Sequence, residues 1–395
     1  MIKKIKINRF GKPIKERFQT IVKSPFDKFK DNKWFKIFML CFALYFFIVS
    51  IRMMGHGFEN LGESFTTSLI ETTTNPLVGL FIGILATSIV QSSSVTTSIV
   101  VTLVAAEPEF LPNAIPIIMG ANIGTSVTCA LVSLGHINRP KEFERAYSAA
   151  TVHDFFNLLT VSILFPLEII TRYIFGTGFL HWAAEGMVNV SGMSGDMTFL
   201  SPVKAVTDPI AKTVVNNMGS VAGIIIAALI LFLALKILVQ YMRLLMDGKI
   251  QYIMDKYIFK TAITAYLFGL FLTMLVQSSS ITTSLAVPLV GGNILTIEQI
   301  FPFTIGANVG TTVTAIIAAF ALGSSAALVI SFVHLLFNFF GTLIFFPIKR
   351  IRNIPIMLAK KLGKLAVTKK RYAIIYIVVV FYIIPILVIL LSWVI

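Results

Sequence analysis

The sequence predicts an all-α polytopic membrane protein with two inverted-topology repeats, each made of a re-entrant helical hairpin and transmembrane helices. Three observations support this prediction: an apolar composition, a duplicated motif, and a charge pattern that differs between the two copies. Of the 395 residues, 56% are hydrophobic and 13% are charged, and the mean hydropathy is +0.86. Water-soluble domains are less apolar, so we expect several segments to cross a lipid bilayer.

The positive charge is concentrated near the two ends of the chain. The net charge is +15; residues 1–36 contain twelve Lys and Arg against three acids, and residues 349–371 contain nine against none. Basic segments beside apolar spans are typical of cytoplasmic loops, where they also meet anionic lipid. We therefore expect the lipid bilayer as a partner, a cytoplasmic N-terminus, and no binding to nucleic acid.

A duplicated motif predicts the internal repeat. Gln91–Ser98 reads QSSSVTTS, and Gln277–Ser284 reads QSSSITTS. The 42 residues that start at Thr87 and at Thr273 share 20 identities at a constant offset of 186. Such similarity over a fixed offset indicates two copies of one structural unit, an arrangement typical of polytopic membrane proteins.

The charges of equivalent loops predict that the two repeats are inverted. In the first half, the loop after the span with residues 120–125 (GANIGT) is basic, whereas its counterpart in the second half, residues 321–327, is uncharged. The next loop is basic in the second half, at residues 349–371, and poor in Lys and Arg in the first. Because cytoplasmic loops collect Lys and Arg, equivalent loops face opposite sides of the membrane.

The two QSSS segments are predicted to be re-entrant hairpins. Residues 77–106 are apolar with Ser92–Ser94 in the middle. As two spans they would supply about 14 residues each, or about 21 Å, which is short of the bilayer core of about 30 Å. As one span they would place the basic loop after the GANIGT span on the external side of the membrane, where Lys and Arg are disfavoured. A hairpin with QSSS at its tip avoids both problems, provided that protein or a watery cavity surrounds the tip.

The resulting path has seven spans, at residues 37–53, 115–134, 146–168, 217–241, 300–321, 327–347 and 373–394. The predicted divisions are a basic cytoplasmic N-terminus (1–36), the first transmembrane helix with an external segment (37–76), repeat 1 (77–172), an external loop (173–212), a linking span with a cytoplasmic linker (213–260), repeat 2 (261–348), a basic cytoplasmic loop (349–372) and a last transmembrane helix (373–395).

The hairpin tips are the first candidate site. They contain Gln91, Ser92, Ser93 and Ser94 in one repeat and Gln277, Ser278, Ser279 and Ser280 in the other. Hydroxyls can donate to an oxyanion or present lone pairs to a hard cation, and broken helices add free N–H groups and a positive dipole end. The rival interpretation is that small residues only let helices pack closely. Two symmetry-related copies favour a binding role.

Two further features suggest cation ligands. Asn122 and Asn308 lie between glycines inside spans, which indicates a helix interruption or a close helix approach. Their amide oxygens could bind sodium, or could serve packing alone. Asp154 is an acid within a span, and such residues are functional by default. It could bind a cation or carry a proton; alternatively it lies near the cytoplasmic interface, solvated or capping a helix.

The sequence gives little support to enzymes or to resident cofactors. It has no HExxH motif, P-loop or nucleotide fingerprint. Cys41 and Cys129 both lie in apolar segments, where they predict neither a disulfide nor a zinc site. The hairpins contain no Lys or Arg to neutralise an anion. Because transfer of an ion to low dielectric is costly, an anionic cargo would need mobile cations beside it.

The duplicated QSSS, the GANIGT and GANVGT segments, and TVHDFFN at Thr151–Asn157 together resemble the type II sodium–phosphate cotransporters and their bacterial relatives. The similarity covers residues 77–168 and 262–347. It implies phosphate held between the two hairpins, sodium ions as co-transported substrates, and uptake driven by inward sodium in a bacterial inner membrane. An oligomer is compatible with this resemblance.

Residue roles follow from the resemblance by motif. Gln91–Ser94 and Gln277–Ser280 should face phosphate, and Gln277, Ser278, Thr311 and Thr314 should contribute to one sodium site. An Asp after the His of TVHDFFN goes with electrogenic transport in the family, so Asp154 implies three sodium ions per divalent phosphate. The alternatives are an exporter, a carrier of another oxyanion such as sulfate, and a receptor that binds an anion without moving it.

Overall fold

A computed structural model describes residues 32–192, 201–246, 259 and 261–392. Within these ranges every regular element is helical, which confirms the predicted all-α class. The basic segment 1–31 and the linker residues 247–258 and 260 lie outside the described residues. The α-helices are α1 Lys33–Glu59, α2 Glu63–Thr73, α3 Pro76–Val90, α4 Ser93–Ala106, α5 Leu111–Thr125, α6 Val127–Ser133, α7 Pro140–Phe175, α8 Phe179–Val190, α9 Ser201–Met218, α10 Ser220–Met246, α11 Ala262–Val276, α12 Ser279–Gly291, α13 Ile297–Leu322, α14 Ser325–Phe345, α15 Lys349–Thr368, α16 Arg371–Val378 and α17 Ile384–Leu391.

Seven helical segments in the described residues are long and apolar enough to cross a membrane, which confirms the predicted number. Each overlaps one of the predicted spans. They are Lys33–Glu59, Pro108–His136, Pro140–Phe175, Ser220–Leu238, Ile297–Leu322, Ser325–Phe345 and Arg371–Leu391.

The two predicted hairpins are pairs of short apolar helices. α3 and α4 have 15 and 14 residues, and α11 and α12 have 15 and 13. At 1.5 Å per residue, none of these arms exceeds about 23 Å, less than a bilayer core. α2 does not lengthen α3, because the two helices meet at a bend of 99°. These lengths support a re-entrant path, which stays a prediction together with the inverted orientation of the repeats.

Glycines hold the first arm of each hairpin against the next span. A Cβ at Gly83 in α3 would overlap the main-chain oxygen of Ile117 in α5, and one at Gly120 would overlap that of Leu80. The same overlaps recur 186 residues later, between α11 and α13, at Gly269 with Phe303 and at Gly306 with Tyr266. The sequence repeat is therefore also a structural repeat, built on main-chain contact that only glycine permits.

The second arms join the two halves. α4 packs against α13 and α14 of the second half, and α12 packs against α6 and α7 of the first. The two repeats differ in the span that follows the hairpin. In the first repeat α5 ends at Thr125 and α6 begins at Val127, whereas in the second repeat α13 runs without interruption through Thr312. Ser126, the counterpart of Thr312, thus lies at a helix break that the second half lacks.

Several segments between the spans are helical. The segment predicted as an external loop, residues 173–212, contains α8 and most of α9. α9 lies beside α1, where Asp208 approaches the buried Arg52 at 3.5 Å. The basic segment at 349–372 contains the amphipathic helix α15, whose buried stripe includes Ile356, Ala359 and Gly363 and packs against α7.

Candidate functional site

Both QSSS motifs break their hairpin in the same way. Gln91 and Gln277 end the first arms in the left-handed conformation, with φ of 56° and 58°. Among the described non-glycine residues, only Asn293 shares a positive φ. The next residues, Ser92 and Ser278, are extended and cap the second arms through their side chains. A positive φ at glutamine is uncommon and tends to occur at functional sites.

The two tips touch. The Ser94 hydroxyl donates to the main-chain oxygen of Gln277 at 3.2 Å and lies 3.5 Å from the Thr314 hydroxyl. Thr314 in turn donates to Gln277 Oε1 at 2.7 Å. Three of the predicted site residues, from α4, the end of α11 and α13, therefore form one polar cluster, hereafter the tip cluster.

Polar groups without partners surround the tip cluster. Among the described residues, the side chains of Gln91, Ser93, Ser279 and Ser280 make no hydrogen bond to protein atoms. Ser93, Ser279 and Ser280 are nevertheless buried. α4 and α12 both begin at these residues, so two helix N-termini with free N–H groups lie at the tips. Hydroxyl, amide and N–H donors in this arrangement suit an oxyanion.

The other two residues that the resemblance assigns to a sodium site, Ser278 and Thr311, make hydrogen bonds within their own helices. The Ser278 side chain caps α12. The Thr311 hydroxyl donates to Ala307 O at 3.0 Å, one turn earlier in α13. The same hydroxyl makes no hydrogen bond to Gln277 or Thr314 among the described residues. The structure thus brings Gln277 and Thr314 together and leaves Thr311 outside the tip cluster.

Asn122 and Asn308 belong to a separate network, hereafter the asparagine network. Asn338 Nδ2 donates to Asn122 Oδ1 at 3.1 Å, and Asn308 Nδ2 donates to Asn157 Oδ1 at 2.9 Å. Asn122 corresponds to Asn308 in the repeat, as Asn157 does to Asn338, so these two bonds join equivalent pairs of residues with donor and acceptor exchanged. A further bond runs from Asn308 Nδ2 to Asn338 Oδ1, and His153 Nε2 lies 3.0 Å from Asn308 Oδ1.

The asparagine network joins α5 and α7 of the first half to α13 and α14 of the second. All four asparagines are buried, and the amide oxygens of Asn122 and Asn308 already have hydrogen-bond partners. Each amide oxygen has two lone pairs, so one hydrogen bond still leaves a lone pair for a cation. Sodium binding by Asn122 and Asn308 stays a prediction, while the geometry gives both residues a packing role between the halves.

Asp154 makes no hydrogen bond to either cluster. Its side chain is fully buried on α7, 14 residues from Pro140, which is about 21 Å along the helix axis. Neither carboxylate oxygen has a hydrogen-bond partner among the described residues. In this structure Asp154 is therefore neither solvated nor a helix cap.

A crevice of about 290 Å³ borders the tip cluster, with Gln277 and Thr314 in its lining. Its other walls come from apolar residues of α1, α10, α11 and α13, among them Leu40, Leu44 and Leu235. Bare ions are poorly accommodated between apolar walls. The lining of this crevice is therefore unfavourable to a bare ion.

Sequence reasoning missed three of the residues described so far. The sequence does contain a signal for Asn157 and Asn338, since each lies four positions after a histidine that occurs in both repeats. Ser126 differs from Thr312 only conservatively, and nothing in the sequence marks the helix break beside it. The pairing of Asn122 with Asn338 joins different halves, which no local pattern can reveal.

Comparisons with known proteins agree with this architecture. The family model for the Na+/Pi-cotransporter matches residues 46–189 and 230–363. The chain is 31% identical to sodium-dependent phosphate transport protein 2A of Rattus norvegicus over 437 residues, which cover 90% of this chain and 68% of the relative. It is 31% identical to sodium-dependent phosphate transport protein 2B of Homo sapiens over 445 residues, which cover 89% and 64%.

The chain thus spans about two thirds of the length of these relatives. No solved structure matches it. The matched relatives are transporters, not enzymes. Because the family model covers more than half of the chain and the identity extends over nine tenths of it, the chain belongs to the Na+/Pi-cotransporter family.

Proposed function

We propose that this protein imports divalent inorganic phosphate together with sodium ions, and that the two hairpin tips bind the phosphate. The observation that carries the proposal is the contact between the tips: two identical helix breaks, one from each repeat, meet through Ser94 and Gln277 at 3.2 Å. Around this contact lie hydroxyls, amides and helix N-termini without protein partners. A bound phosphate would separate Ser94 from Gln277 and take over their hydrogen bonds.

The electrostatics of the tips support coupling to cations. Each helix N-terminus is equivalent to about +0.5 charge, so α4 and α12 together offset about one of the two negative charges of HPO4²⁻. The hairpins contain no Lys or Arg. Co-bound sodium would supply the remaining positive charge, with Gln277, Ser278, Thr311 and Thr314 as the proposed ligands of one ion.

We further propose that transport is inward and electrogenic, with three sodium ions for each phosphate. Three positive charges and two negative charges give a net movement of one positive charge per cycle. Asp154 supports this stoichiometry, because its buried carboxylate would need a cation of its own. A cytoplasmic N-terminus and a bacterial inner membrane complete the proposal.

Reconstitution tests this function directly. The purified protein in proteoliposomes should accumulate radiolabelled phosphate when a sodium gradient points inward, and should not when potassium or choline replaces sodium. A membrane potential that is negative inside should speed uptake. Sodium-independent uptake, or binding without accumulation, would refute symport and favour the receptor alternative. Sulfate, unlike phosphate and arsenate, has no proton to donate. Stronger competition by sulfate than by arsenate would therefore indicate that the cargo is an oxyanion other than phosphate.

A further inference from the structure

The side of α15 that faces away from α7 carries two kinds of exposed residue. Lys360, Lys361 and Lys364 are exposed, and so are the apolar residues Ile354 and Leu365, at 39% and 48%. Since successive residues of an α-helix are about 100° apart around its axis, the lysines and the apolar residues occupy adjoining sectors of one surface. A helix surface that is basic in one sector and apolar in the next is typical of a lipid interface.

Both ends of α15 are joined to membrane spans by short connections. Three residues separate it from Phe345, where the preceding span ends, and two separate it from Arg371, where the last span begins. A helix with such connections stays beside the bilayer. Its charged side chains are costly in hydrocarbon, so they reach headgroups or water, while exposed apolar residues are favoured where the acyl chains begin.

A second crevice, of about 360 Å³, lies beside the lysines and is hereafter the lysine crevice. It is enclosed by α15, the first turns of α7, and the turn that joins α12 to α13. Its neutral polar lining comprises Ser148, Asn293 and Thr296, and Lys360 and Lys364 line the side of α15. Because hydroxyl, amide and ammonium groups all donate hydrogen bonds, this lining suits a ligand rich in acceptor oxygens.

The charged groups of the lysine crevice leave one cation uncompensated. Lys360 pairs with Glu298, and the Arg145 guanidinium donates to the last main-chain oxygen of α12 at 2.7 Å. Lys364 has no ion pair or hydrogen bond in the part of the chain that the structure describes. With Glu144 as the second acid, three basic and two acidic residues give the lining a net charge of +1. A phosphodiester, with one negative charge, matches it.

The surroundings favour an anionic lipid over a zwitterionic one. Residues 349–371 contain nine Lys and Arg and no acid, so a choline or ethanolamine group would meet like charge. We propose that the lysine crevice binds the phosphodiester of an anionic glycerophospholipid, with Lys364 on the phosphate, Lys361 beside the headgroup, and the acyl chains along Ile354 and Leu365. Such a lipid would bridge the two halves, since α7 belongs to the first and α13 to the second.

The test is stabilisation of the purified protein in detergent by added lipid, since a ligand of the folded state raises the unfolding midpoint. Phosphatidylglycerol should act at lower concentrations than phosphatidylcholine with the same acyl chains. In Lys364→Gln and in Lys361→Gln, the phosphatidylglycerol concentration that gives half of the maximal rise should increase about fivefold, the usual contribution of one basic residue near an anionic lipid surface. The midpoint without lipid reports whether each variant folds.

The matched control is Lys212→Gln, which removes one exposed lysine of α9 and should leave the lipid dependence unchanged. Equal stabilisation by phosphatidylglycerol and phosphatidylcholine would overturn the proposal, because the charges would then have no role. A wild-type response in both lysine variants would exclude the lysine crevice as the site.

Soluble glycerol phosphate separates a lipid from a free phosphate group. We expect no stabilisation by it at concentrations where phosphatidylglycerol saturates, because it has no acyl chains to contact Ile354 and Leu365. Stabilisation at the same concentrations would overturn the assignment to a lipid. Phosphate uptake is not measured in these experiments, so this proposal and the transport proposal can fail independently.

Discussion

The hydroxyl of Ser94, in the first repeat, lies 3.2 Å from the main-chain oxygen of Gln277, in the second. These residues are 183 positions apart, yet each belongs to the same four-residue motif. The contact places two helix N-termini and two sets of hydroxyls at one point between the halves. The following predictions test the roles assigned to this point and to the groups around it.

Removal of either of two tip side chains should abolish phosphate uptake. Gln277→Ala removes the acceptor of the Thr314 hydroxyl, and Ser279→Ala removes a buried hydroxyl that has no protein partner in the described residues. We expect uptake into proteoliposomes to fall by at least about tenfold, the effect of about 1.4 kcal/mol. Ser162→Ala, an exposed serine of α7 with a local bond to Leu158 O, should transport normally. Unaltered uptake in either tip variant would refute its assignment.

Filling the close helix contacts should destabilise the protein. In Gly306→Ala the new Cβ would overlap the main-chain oxygen of Tyr266, and overpacking of this kind costs about 1–3 kcal/mol. Thermal unfolding in detergent should show a lower midpoint for Gly306→Ala and for its repeat equivalent Gly120→Ala. Gly186→Ala, in α8, has no atom within 4 Å of the added Cβ and should keep or raise the midpoint.

Substitutions in the asparagine network distinguish packing from sodium binding. Asn338→Ala leaves the amide oxygen of Asn122 and an amide hydrogen of Asn308 without partners, so it should lower the free energy of unfolding by about 1–3 kcal/mol. A double-mutant cycle of Asn122→Ala and Asn338→Ala should show coupling of about 0.5–3 kcal/mol. Asn189→Ala, an exposed residue of α8, is the control.

The rival role of Asn308 gives a different result. If Asn308 binds sodium, Asn308→Ala should raise the half-saturating sodium concentration of uptake while the unfolding midpoint in choline chloride stays close to that of the wild type. We expect the reverse: a lower midpoint and little change in sodium dependence.

Asp154 should determine the charge that accompanies phosphate. Asp154→Gly should retain sodium-driven uptake but lose the net charge movement, since one cation fewer leaves two positive charges beside HPO4²⁻. Simultaneous measurement of current and radiolabelled phosphate gives the ratio, expected to fall from about one charge per phosphate to none. A current of normal size in the variant would reject this role.

Much of the fold could be predicted because its signals are long or duplicated. Apolar runs longer than about 18 residues mark membrane spans without knowledge of their neighbours, and all seven were found. The motif at Gln91 recurs at Gln277, so one argument about a break in an apolar segment applied to both hairpins. The helices α8 and α9 were not predicted, since the Gly, Ser and Met content of residues 173–212 is typical of a loop.

The candidate site could be predicted only where chemistry and repetition coincide. Ser94 and Gln277 stood out because their motif is polar and occurs twice. The bond between Asn122 and Asn338 depends on how two distant spans cross, and nothing near either residue encodes that crossing.

The glycine contacts limit how the protein can change access from one side of the membrane to the other. Because the backbones of α3 and α5 touch at Gly83 and Gly120, the two helices cannot slide past each other without collision, and each such pair must travel as one body. The two tips can then separate only if the α3–α5 pair moves as a unit relative to the α11–α13 pair. A cross-link between α3 and α5 should consequently spare turnover, whereas one between positions 94 and 277 should arrest it; arrest by the first would show that the pair does shear.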